Sequence, residues 1–179
     1  MRRKRWFLIA TAVTLLGVII YNATVELPVL NARSDEHGVT MVAYHRWLIS
    51  PSTLVIDLWS IDGKVSMADV DRNLFEAAEA LKGQTFGNVI LAFRGKGRFI
   101  IDGAQFKTTG EERKWQNPIY AIRTLPQNLR KMDGSPAFET WEGGLLGVLG
   151  QQLKDHEEFH AQWYARESLG LPESTPLGQ

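Results

Sequence analysis

The pentapeptide His156-Glu157-Glu158-Phe159-His160 is the stretch of this chain best suited to chemistry. It fits the pattern HExxH. Residues four apart on a helix share a face, so both imidazoles can reach one Zn²⁺. A glutamate beside the first histidine can then act as general base on a metal-bound water. His156 and His160 are therefore candidate metal ligands, and Glu157 is a candidate catalytic base. Catalytic zinc takes three protein ligands and a water, so another donor is required. His37 and His45 upstream, and Glu167 and Glu173 downstream, are available, but no spacing selects among them.

Over these five residues the motif resembles that of the zincin metallopeptidases, which implies peptide hydrolysis with Glu157 as base. The surroundings depart from that pattern. Asp155 and Glu158 put charges on a helix that is usually buried, Trp163 stands where the metzincin continuation has Gly, and no histidine follows. The competing reading is an amphipathic helix that sets two histidines at the core edge beside Trp163. Zinc belongs only to the peptidase reading, and otherwise no cofactor is expected.

Arg94-Gly95-Lys96-Gly97-Arg98 is a second candidate site, three cations flanked by Phe93 and Phe99. Such a cluster can bind a phosphate or a carboxylate-bearing glycan. It is equally the composition of a solvated hairpin tip. Residues 62–69 imitate the end of an EF-hand loop, but Leu58 would stand where the first carboxylate is required, so calcium is rejected. There is no cysteine, hence no disulfide, thiolate nucleophile or Cys-based zinc site. No serine nucleophile elbow occurs.

The elements that must position these residues follow from the start of the chain. Arg2, Arg3, Lys4 and Arg5 precede an uncharged run from Trp6 to Tyr21, bracketed by aromatic residues. This is the pattern of a signal anchor with its basic end in the cytoplasm, and no small-x-small cleavage site follows Tyr21. Setting aside those four cations leaves 16 Lys and Arg against 20 Asp and Glu. A mildly acidic, exported domain is not built to bind nucleic acid.

The expected organisation is a cytoplasmic basic cluster (1–5), a transmembrane anchor (6–23), a spacer (24–38), a domain (39–169) and a loose tail (170–179). Residues 39–49 and 53–61, rich in β-branched and aromatic residues and separated by Ser50-Pro51-Ser52, are expected as the strands of a hairpin. Ser66 and Asp69 form a capping box ahead of a helical stripe at Met67, Val70, Leu74, Ala77, Ala78 and Leu81. Residues 86–93 and 98–101 suggest a second hairpin, 104–116 is weakly helical at most, and Ile119–Leu125 looks like a short strand. The strongest helical period spans Trp141–Ser168, although Gly143, Gly144, Gly147 and Gly150 require close packing or a late helix start. Hairpins on both sides of a helix predict an α+β domain, an antiparallel sheet of roughly four to five strands with helices on one face.

These observations predict a single-pass protein of the cytoplasmic membrane with its C-terminal domain outside the cytoplasm, or a secreted domain if the signal is cut. The expected role is non-catalytic, docking to an envelope protein. The alternatives are a zinc peptidase centred on HEEFH, and an anion or glycan binder using Arg94, Lys96 and Arg98.

Overall fold

The apolar N-terminal run forms α1, a helix over Arg2–Ala32 in the computed structural model, which describes residues 2–33 and 38–172. Trp6–Ala32 is long and apolar enough to cross a membrane or to serve as a signal sequence. From Trp6 to Ile20 the helix is exposed almost throughout. From Tyr21 onwards it joins the domain. Val25 and Val29, one turn apart, are buried in the core. Glu26 accepts the Ala43 N–H, and Arg33 donates to the carbonyls of Val39 and Met41.

Residues 24–32 of the expected spacer are therefore helix packed on the domain, and residues 34–37 of it lie outside the described residues. Pro28 lies within this helix and lacks the N–H that would bond the Thr24 carbonyl. Gln84 Nε2 donates to that carbonyl at 3.0 Å instead, so the helix continues.

The sheet has five strands whose spatial order equals their chain order: β1 (Val39–His45), β2 (Thr53–Ile61), β3 (Asn88–Phe93), β4 (Lys96–Asp102) and β5 (Leu129–Lys131). β1–β2, β3–β4 and β4–β5 are antiparallel, but β2 and β3 are parallel. The sheet is thus mixed, a correction to the antiparallel expectation. Its cause is the connection between the hairpins. α2 (Met67–Leu81) carries the chain back along the sheet, so β3 starts at the end where β2 started. The capping box holds the start of α2, with Asp69 N–H donating to Ser66 Oγ and Ser66 N–H to Asp69 Oδ2.

Helices cover one face. Leu54, Ile56, Leu58, Leu91, Phe93 and Phe99 point from the strands into one core with Leu74 and Ala77 of α2, Phe106 of α3 (Gly103–Glu112), and Phe159 and Trp163 near the C-terminus. The opposite face holds a small cluster of Val55, Ile90 and Ala92. α3 is a capped helix rather than a weak one, because Asp102 Oδ1 accepts the Ala104 N–H at 2.9 Å. It crosses α2 at Gly110, where an added Cβ would lie 2.2 Å from the Ala78 carbonyl oxygen.

The run expected as a strand after Asn117 is α4 (Pro118–Thr124). Asn117 caps it by accepting the Ile119 N–H at 3.0 Å, and Pro118 at the first position needs no donor of its own. α5 runs over Leu145–His160, with Gly144 at its N-cap. Open space surrounds Gly144, Gly147 and Gly150, so close packing is not the reason for these glycines. A π-helical turn (Ala161–Ala165) and a last short segment, α6 (Arg166–Ser168), continue α5 to Gly170, whose φ of +65° ends it.

Candidate metal centre

α2 and α5 face each other across the helical layer, and three polar side chains meet between them. Asp71 sits on α2 at helical spacing from Leu74 and Ala78, inside the apolar stripe, and is fully buried. His156 and His160 lie one turn apart on α5, the first nearly and the second fully buried. His156 Nε2 is 2.7 Å from Asp71 Oδ2, and His160 Nε2 is 3.1 Å from Asp71 Oδ1. The two Nε2 atoms are 3.0 Å apart. Asp71, His156 and His160 are thus grouped so that each turns one ligand atom toward the others.

Hydrogen bonding alone accounts poorly for this triangle. A neutral imidazole carries one N–H and one lone pair. If both Nε2 atoms are protonated, each serves one carboxylate oxygen but two N–H groups abut at 3.0 Å. If only one is protonated, a buried lone pair faces the carboxylate. A divalent cation resolves the conflict, because all three groups then present lone pairs to it. A tetrahedral N/O site with bonds of about 2.0–2.1 Å has ligand atoms roughly 3.3 Å apart, a few tenths of an ångström wider than the observed spacings.

The surroundings suit that role. His160 Nδ1 lies 3.0 Å from Tyr164 Oη. With Nε2 as ligand, Nδ1 carries the proton and donates to the phenol, the outer bond that fixes a metal-binding histidine's tautomer. The π turn carries Tyr164 and begins directly after His160. Gln152, one turn before His156, is buried, and its Oε1 has no hydrogen-bond partner. Burial, the largest influence on the Asp71 carboxyl, favours its neutral form. Hydrogen bonds from His156 and then His160, with their charge, outweigh it and hold Asp71 below the ordinary carboxylate range. Burial, and then the Asp71 charge, push the Tyr164 phenol up, so it stays a neutral hydrogen-bonding group.

Glu157 does not join the triangle. It is exposed on the outer side of α5. The flanking charges that depart from the zincin pattern are bound elsewhere. Asp155 accepts the Trp141 Nε1–H at 2.6 Å, and Glu158 accepts two bonds from Arg166 at 2.9 and 2.8 Å. Of the upstream and downstream donors, His45 stacks on Tyr21 and lies against the Ser50 carbonyl, and Glu167 pairs with Arg98 and Lys96. His37 and Glu173 lie outside the described residues. The residue that joins the two histidines is Asp71, and its signal in the sequence is an acid on the buried stripe of an amphipathic helix.

The basic hairpin tip does not converge on one anion site. Lys96 lies 3.6 Å from Glu167, and Arg98 pairs with the same carboxylate. Arg94 turns the other way, its Nε donating to the Trp59 carbonyl and its guanidinium over the Phe93 ring. Buried Asp57 secures the tip by accepting the Gly95 N–H and the Tyr44 hydroxyl. A separate cleft of about 500 Å³ between α2, α3 and α4 is lined by Phe75, Thr108, Tyr120 and Leu125, and includes none of Asp71, His156 and His160.

No family model matches the chain, and neither a curated protein nor a solved structure matches it.

Proposed function

We propose that this protein is a membrane-anchored, extracytoplasmic domain that binds one divalent transition-metal ion through Asp71, His156 and His160, and that the ion serves structure rather than hydrolysis. The convergence of three buried ligand atoms, 2.7–3.1 Å apart, carries this reading. Two imidazoles and a carboxylate form a borderline ligand set suited to zinc and its first-row neighbours. A catalytic zinc keeps an open position and a base beside it. Three protein ligands leave a fourth position to another donor, but Asp71 and His160 are fully buried and Glu157 faces away from them, which favours a structural centre. The metal would join α5 to α2 and so tie the C-terminal helix to the sheet's helical layer. A domain held in this way offers a rigid surface for docking in the envelope, the non-catalytic role expected from a sequence without a complete catalytic constellation.

The test is metal content of the full chain purified in detergent without affinity metals, measured by mass spectrometry, for the wild type and for Asp71→Ala and His156→Ala. One zinc per chain in the wild type and little in either variant is the expected result. A wild type that takes up no metal on zinc dialysis would overturn the proposal.

A further inference from the structure

The connection between β1 and β2 puts three large apolar residues in a row, Trp47, Leu48 and Ile49, and leaves them 77%, 49% and 66% exposed. Trp47 and Leu48 both have positive φ, at 56° and 62°, a conformation that side chains of this kind rarely adopt. A turn whose only task was to reverse the chain would use Gly or Asn there. The strained backbone is held in place by α1. The Asn22 side chain accepts the His45 N–H at 2.9 Å and donates to the Leu48 carbonyl at 2.9 Å, spanning the turn from both sides. Tyr21 stacks on His45, with ring centroids 4.1 Å apart.

These contacts set the height of the turn along α1. Arg33 bonds Val39 and Met41, Glu26 bonds Ala43 and Asn22 bonds His45. β1 therefore descends α1 toward its apolar half as the chain proceeds. Leu48 reaches down beside Val18 and Ile19, which line a shallow apolar groove with it. The free apolar segment, Trp6 to Ile20, is 15 residues and rises about 22 Å. A hydrocarbon core is about 30 Å thick, so a helix entering at Trp6 would leave the core near Val25. That level lies above the turn, among contacts already made by the domain. Local thinning of the bilayer around a short free span brings its boundary to the base of the domain.

We infer that the β1–β2 turn is a second membrane contact, with Trp47, Leu48 and Ile49 seated at the headgroup–acyl boundary of the leaflet from which α1 emerges. Arg46, whose guanidinium lies 5.4 Å from the Trp47 ring centroid, sits at phosphate level in this arrangement. Trp is the residue type that anchors at this depth. The domain is then held against the bilayer in one orientation instead of swinging on a tether. This inference rests on α1 being retained as a membrane span.

The absence of cysteine makes the test clean. Val13→Cys, Trp47→Cys, Ile49→Cys and Lys114→Cys are each spin-labelled in the full chain and reconstituted in phosphatidylcholine–phosphatidylglycerol vesicles. Collision with oxygen should exceed collision with a water-soluble nickel chelate at positions 13, 47 and 49, and the reverse should hold at 114. Labels at 47 and 49 as open to the chelate as the label at 114, with position 13 protected, would overturn the inference and leave the anchor standing. A label at 13 open to the chelate would overturn both.

Discussion

Asp71→Ala separates a carboxylate that holds a metal site together from one that merely fills space. Asp71 is fully buried and meets both imidazoles, at 2.7 and 3.1 Å. Hydrogen bonds to a charged group contribute roughly 1.5–3 kcal/mol each, and breaking one side of a buried ionic cluster costs about 3–5 kcal/mol. The larger figure applies because His156 and His160 are left buried without their shared partner. Metal adds a second, separable effect. Zinc at a hundred times its Kd stabilises a protein by about 2.7 kcal/mol if it binds only the folded state. At roughly 2–4 °C per kcal/mol for a chain of this size, the wild type should melt about 5–11 °C higher with zinc than with chelator. Asp71→Ala should lose that shift as well as the intrinsic 3–5 kcal/mol. Urea titrations of the detergent-solubilised chain read the first quantity, and differential scanning fluorimetry with zinc or chelator reads the second. Buried Trp163, whose Nε1–H bonds the Ala92 carbonyl at 2.9 Å, supplies a fluorescence probe. A variant that keeps the full zinc shift, or loses less than about 1 kcal/mol, would refute the reasoning.

Other predictions follow from contacts elsewhere in the fold. Glu157→Gln should leave zinc content unchanged by mass spectrometry, since that side chain is exposed and outside the cluster. Gly110→Ala should destabilise by about 1–3 kcal/mol in urea titration despite better helix propensity, because the new Cβ meets the Ala78 backbone. Burial, only partly offset by the Ser50 carbonyl, holds the His45 imidazole below its ordinary value of 6.5. The unfolded chain therefore takes up that proton first as pH falls below 6.5. His45 contributes stability above that pH and loses it below, and His45→Phe should flatten this part of the pH dependence in thermal melts.

Most elements with local signals can be read from the residues, with α4 the exception, and those that depend on distant partners cannot. Strand β2 and the Ser66/Asp69 capping box form where β-branched composition and capping chemistry put them. α4 was misread because Ile119, Ile122 and Leu125 resemble a strand run, although Asn117-Pro118 is a good helix start. The parallel pairing of β2 and β3 is decided by where α2 returns the chain, which neither hairpin reveals. The far end of α1 reads as spacer until Gln84, 60 residues later, satisfies the carbonyl that Pro28 frees. For the site, the spacing of His156 and His160 was visible. Asp71 was not, because its partners lie 85 and 89 residues away, although an acid on a buried stripe marks a group that needs one.

X-ray absorption at the zinc edge of the full chain, loaded with one equivalent in detergent, tests the central claim most directly. Two imidazole nitrogens with at least one carboxylate-type oxygen, at about 2.0–2.2 Å, is the predicted first shell, reduced by one imidazole in His160→Ala. A spectrum unchanged in His160→Ala, or one showing only water oxygens, would contradict the account.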